Sequence, residues 1–278
     1  MKLVEDAQDN MDILSESGQP VKLTKGRWLM VPTVSVGNVP QLAVDLLVNT
    51  RGDEIVGHVM DSNMVPVCGN GGSGYSISTG CELFDLGGKG YALLPRAPPA
   101  PGRAAAAAKD LADLIQSHGV GEIFLLASSY AGGRRDAQLG DSSRLRYMVT
   151  TPALKLSEGL RSRGIPVMEG GGEKGWVEDL QQIEKDMNDG TSGAPAFIAS
   201  QRRSSFLRSL LVECDARGIA LCVLLMFVFE GDNSADAVEM AGVASEVTGL
   251  STAGEGLEWK IPSSWQKNLG GPPESMLY

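Results

Sequence analysis

The chain has 278 residues, 42% of them hydrophobic and 21% charged, an ordinary globular composition long enough for one large domain. Its 34 acidic side chains outnumber 24 basic ones, a formal net charge of −10, so the average surface repels phosphate backbones and anionic lipid heads, and neither nucleic acid nor membrane is an expected partner. The opening Met1-Lys2-Leu3-Val4-Glu5-Asp6 turns acidic before an apolar run can build a signal peptide, and the longest apolar run, Ile219 to Phe229, falls short of the roughly 20 residues a membrane span needs.

Residues 1–22 mix acids, amides, Ser and Gly without a period, which predicts a disordered extension ahead of a single domain over 23–264. Within that domain Arg27 to Val31 reads as a strand, and Ser35 to Asn38 as a turn with Asn38 capping a helix over Val39 to Val48. Pro40 stands at an early helical position, where its missing N–H costs nothing. A strand follows at Glu54 to Val59, then a hairpin over Cys81 to Leu94 turning at Gly87-Gly88-Lys89-Gly90. After the Pro-rich break 95–101, the alanine-rich stretch Arg103 to Ser117 predicts a helix closed by Gly119, and Ile123 to Ala127 a short buried strand. Helix and strand alternate again late in the chain: Ser205 to Ala216 helical, Ile219 to Val228 a fully apolar strand, Ser234 to Val247 a helix opened by Asp232 and Asn233. Strands apolar on both sides need cover on both faces. The expected fold is therefore α/β, a three-layer α/β/α sandwich with a mainly parallel sheet and an antiparallel edge hairpin. The glycine-rich region 169–204 reads as a mobile insertion carrying one helix near Val177 to Met187.

Catalytic signatures are weak. Gly69-Asn70-Gly71-Gly72-Ser73-Gly74 fits GxGxxG, but Tyr75 to Gly80 opens no helix on which a pyrophosphate could rest. Lys89 lacks both the spacing and the Ser or Thr of a phosphate-binding loop. No G-x-S-x-G pentapeptide occurs, and the two histidines, His58 and His118, read as structural, in a strand and at a helix end. Cys68, Cys81, Cys214 and Cys222 form no CxxC pair and read as free thiols of a reducing compartment. Glu178, Asp179, Glu184 and Asp186 form a charged, solvated helix face. No catalytic residue, cofactor site or metal site is nominated.

Four segments are more distinctive: Val31 to Leu47 (VPTVSVGNVPQLAVDLL), Leu145 to Pro152 (LRYMVTTP), Leu224 to Phe229 with Glu230-Gly231-Asp232-Asn233, and Trp259 to Trp265 (WKIPSSW). In this order they resemble the proteasome assembly chaperone family. The resemblance implies a nucleoside-phosphorylase-like fold, a non-enzymatic role, and a cytoplasmic and nuclear location. It also implies a heterodimer with proteasome assembly chaperone 1 that binds proteasome α-subunits and promotes their ring while preventing off-pathway association. Alternatives are a phosphorylase-like or nucleosidase-like enzyme and a scaffold adaptor, since fold does not dictate function. The tail 265–278 is expected to be a flexible arm, because Gly270-Gly271-Pro272-Pro273 continues neither helix nor central strand. Its apolar end, Met276, Leu277 and Tyr278, is the candidate partner-binding element, a degenerate form of the hydrophobic-tyrosine ending of proteasome-binding proteins.

Overall fold

Every residue of the apolar strand Leu221–Val228 is buried, and its side chains alternate between two cores. Val223, Leu225 and Phe227 enter one; Cys222, Leu224, Met226 and Val228 enter the other. The computed structural model describes residues 11–70, 77–134, 143–168, 206–251, 258–263 and 265. In chain order its strands and helices are β1 (Asp12–Leu14), β2 (Trp28–Pro32), α1 (Val39–Arg51), β3 (Ile55–Met60), β4 (Gly69–Asn70), β5 (Ile77–Ser78), β6 (Cys81–Asp85), β7 (Gly90–Pro95), α2 (Ala104–His118), β8 (Ile123–Tyr130), β9 (Leu145–Val149), α3 (Leu156–Ser162), α4 (Phe206–Ala216), β10 (Leu221–Val228) and α5 (Ser234–Val247).

Among the described residues, eight strands form one sheet in the order β1-β3-β6-β7-β2-β8-β10-β9. Helices α2 and α4 pack together over one face, against Leu29, Val31, Ile123 and Leu125; α1 and α5 pack together over the other, against Met30, Phe124 and Leu126. This is the expected three-layer sandwich. The pairing differs from expectation in two ways. Only the centre, β7-β2-β8-β10, is parallel, with antiparallel strands on both sides, so the sheet is mixed. The hairpin β6-β7 is also internal, because β3 pairs with β6 and β1 pairs with β3.

The strand β1 corrects the reading of 1–22 as disordered throughout. Its Ile13 is buried, and a Cβ on Gly57 of β3 would lie 2.7 Å from Ile13 Cγ2, so the missing side chain of Gly57 makes the notch that Ile13 fills. The composition of the segment hides this, since one well-placed isoleucine suffices. At the other end Trp265, assigned to the tail, is buried in the α1/α5 core. The segment before it is tied to α1 by Lys260 N–H to Thr50 Oγ1 (3.1 Å) and Asn49 Nδ2 to Lys260 O (2.5 Å). Both sheet edges are short or covered: β1 has three residues, and on β9 Tyr147 N–H donates to Pro166 O (3.1 Å) while Met168 N–H donates to Tyr147 O (2.9 Å).

Helix ends follow local chemistry. Gly119 closes α2 in the left-handed region (φ 65°), and its N–H returns to the carbonyls of Ile115 and Gln116. Asn38 does not cap α1 as expected: its side chain makes no cap hydrogen bond, and its backbone is left-handed (φ 52°). Asparagine is tolerated there because its short amide side chain suits that region. Asn38→Ser, a good cap but a poor left-handed residue, is expected to cost about 1 kcal/mol, as Asn38→Ala does, while Asn38→Gly stays near wild type. Denaturant midpoints check this; a wild-type midpoint for the serine variant would restore the capping role.

Candidate interaction surface at the strand ends

The parallel strands β7, β2, β8 and β10 end along one rim, the side of an open α/β sheet where binding residues gather. Three groups occupy it. The first is a hydroxyl chain between β2 and β8. Ser128 N–H donates to Ser35 Oγ (3.0 Å), Ser128 Oγ donates to Val36 O (2.6 Å), and Ser35 Oγ lies 2.8 Å from Ser128 Oγ. Since the Ser128 proton is spent on Val36, Ser35 supplies the proton between the two serines. Among the described partners of this chain there is no histidine or carboxylate to act as a base, so the serines are built as a clamp between β8 and the turn leading into α1.

The second group is ionic. Arg96, just after β7, donates from Nη1 to Asp45 Oδ1 on α1 and from Nη2 to Glu82 Oε2 on β6, each at 2.9 Å. Glu82 is 1% exposed, and its other oxygen accepts Thr79 N–H at 3.0 Å. Burial pushes the Asp45 carboxyl above its usual range, while Arg96 beside it pulls it back down. The triad joins α1 to the sheet.

The third group is apolar and faces solvent. Tyr130 ends β8 and Phe229 follows β10; they are 55% and 62% exposed, and their rings meet edge to face with centroids 5.7 Å apart. A Cβ on Gly132 would lie 2.5 Å from Tyr130 Cε1, so the ring rests where glycine leaves room. Beside the pair Glu230 and Asp232 are exposed, and the Asp232 carboxyl is held below its usual range by hydrogen bonds from the Ser234 hydroxyl and N–H. Further along α5, Asp236 and Glu239 are both bound by Arg144.

Residues singled out in the sequence have other duties. His58 Nδ1 bonds Thr79 Oγ1 (2.9 Å), and His118 Nδ1 accepts Leu23 N–H (3.0 Å), its pKa lowered by burial and then by Lys22. Lys89 in the β6-β7 turn donates to Gly249 O beyond α5 (2.7 Å). Of the four free cysteines only Cys68 is exposed; burial pushes Cys214 and Cys222 up to about 12 and raises Cys81 as well. Gly69 and Asn70 lie on β4, which pairs antiparallel with β5, so the described residues on either side of the glycine run are strands, unlike the strand-to-helix setting of a dinucleotide site. The charged face Glu178 to Asp186, the 169–204 insertion and Met276, Leu277 and Tyr278 lie outside the described residues.

The model of the PAC2 family matches residues 29–261, from β2 to the segment docked on α1. The chain belongs to the PAC2 family. Among its relatives, a Danio rerio protein named Proteasome assembly chaperone 2 is 30% identical over 277 residues, covering 94% of this chain and 98% of that protein. Its Mus musculus namesake is 30% identical over 261 residues, covering 88% and 93%. The crystal structure of Pyrococcus furiosus PbaA, described as an archaeal homologue of proteasome-assembly chaperone, superposes with a TM-score of 0.58 at 14% identity, covering 88% of each chain; this shares the fold. The PAC2 match spans all three strand-end groups and leaves β1 and Met276 to Tyr278 beyond its limits.

Proposed function

We propose that this chain is a proteasome assembly chaperone that works without catalysis, pairs with proteasome assembly chaperone 1, and binds α-subunits so that they close their ring without straying into off-pathway associations. The observation that carries the reading is the similarity to proteins named Proteasome assembly chaperone 2 along nearly their whole length. The hydroxyl clamp is consistent with a binding role, since its serine protons are engaged with each other and with Val36 O and, among the described residues, no base touches them. The reading places the chain in the cytoplasm and nucleus. It further assigns Met276, Leu277 and Tyr278, apolar residues beyond the Gly-Gly-Pro-Pro linker, to a pocket on the α-ring.

Such a contact uses few residues and is weak alone, gaining strength because the folded body holds it close to its pocket. Co-expression with proteasome assembly chaperone 1 should yield a stable one-to-one complex that binds recombinant α-subunits. Removing Met276 to Tyr278 should weaken α-ring binding roughly tenfold or more while the heterodimer persists. A complex that fails to form with either partner would overturn the reading, and full ring affinity after the deletion would overturn the tail contact.

A further inference from the structure

We infer that the Tyr130/Phe229 pair is a second, separate anchor for the α-subunit client, received by an apolar pocket with a basic rim; this rests on the reading under Proposed function. The pair has the form of a binding hot spot. Two large aromatics stand more than half exposed on the ends of the buried, adjacent strands β8 and β10, so their backbone is held by the core. Edge-to-face contact between the rings and the space left by Gly132 hold them further, which lowers the ordering cost on binding. Exposed aromatics kept rigid by the scaffold are the side chains that interfaces use most heavily.

The size and the charge of the patch identify its occupant. A fully buried aromatic side chain covers about 150–250 Å², and these two are already partly covered, so what they add is far less than the roughly 2,000 Å² or more of a permanent subunit interface. The patch therefore suits a partner that is engaged and released, which is the client and not the heterodimer subunit. A second copy of this chain is a poor match: a two-fold contact through these rings would set Glu230 and Asp232 of one copy against the same residues of the other. Ser234 donates two hydrogen bonds to Asp232, while Arg144 is already committed to Asp236 and Glu239. Lysines or arginines on the partner answer this rim.

The test uses the full-length chain in complex with proteasome assembly chaperone 1, titrated with recombinant α-subunits at several salt concentrations. Tyr130→Ser with Phe229→Ser should lower α-subunit affinity about tenfold or more and leave the heterodimer and the melting temperature unchanged. Gly132→Ala, which displaces the Tyr130 ring without removing it, should lose part of that affinity. Glu230→Gln with Asp232→Asn should flatten the salt dependence. Wild-type affinity in the double serine variant overturns the inference. So does loss of the heterodimer in that variant, which would give the pair to the other interface. So does a homodimer of the wild-type chain that the serine variant abolishes. Absence of α-subunit binding by the wild-type complex would instead bring down the function on which the inference rests.

Discussion

Replacing Arg96 by Met is expected to lower the unfolding free energy by about 3 kcal/mol at neutral pH, the low end of the cost of breaking a buried ion pair. The low end applies because the Arg96 side chain is 29% exposed, so water screens part of its field. Methionine keeps most of the apolar stem, which isolates the charge. What remains is Asp45 facing the deeply buried Glu82 with nothing between them to neutralise either. The effect depends on pH in a definite direction. Burial already holds the Asp45 pKa up, Arg96 is the main influence lowering it, and Glu82 raises it further. Without Arg96 the folded-state pKa climbs further above its unfolded value. A raised carboxyl binds its proton more tightly in the folded state, so the penalty is full above the folded pKa and fades as pH falls through it. Urea unfolding of both proteins at neutral and mildly acidic pH should show the gap narrowing on acidification. A gap that does not move with pH would show that lost packing, and not stranded charge, is the cause.

Gly37→Ala should be nearly as damaging, through backbone and space together. Gly37 sits at φ 66° in the turn that leads from β2 into α1, a region costing an L side chain about 1–2 kcal/mol. A Cβ there would also fall 2.0 Å from Nδ2 of the buried Asn233, a further overpacking cost of about 1–3 kcal/mol. Asn233 precedes α5 and its carbonyl accepts Ala237 N–H, so the strain passes into the start of that helix. The two contributions can be separated. Gly37→Ala combined with Asn233→Ala should recover the overlap and leave the backbone strain, a coupling of about 1 kcal/mol or more. Strict additivity of the two substitutions would place the whole effect in the backbone.

Much of the fold was legible because its signals are local. Alanine-rich α2 with Gly119 behind it, the hairpin turning at Gly87-Gly88, and the unbroken apolar run of β10 each announce themselves within a short window. Pairing partners are not local, so nothing within the hairpin β6-β7 signals that β3 and β1 lie outside it. The Ile13–Gly57 notch likewise joins residues 44 positions apart in number, and neither residue signals the other. Asn38 misled for a different reason: asparagine serves both as a helix cap and as a left-handed residue, and composition cannot separate the roles. The strand-end surface was legible only in part. Phe229 closes an apolar run and resembles its buried neighbours; that it lies past the last ladder pair, Val228↔Tyr130, is a matter of register. The polar Ser128-Ser129 before Tyr130 was the available hint that the strand was leaving the core.

The blunted ends of the sheet constrain how this protein can meet other chains. A three-residue strand at one margin offers too short a template for a foreign strand, and at the other the segment through Pro166 and Met168 already occupies the backbone groups of Tyr147. Growth of the sheet into a neighbouring molecule, the usual route to fibrils, is thereby discouraged at both margins. Among the described residues, recognition is left to side chains, whose contacts can be sorted by shape and charge and then undone, whereas a continuous backbone ladder would hold any chain with a free strand and let it go slowly.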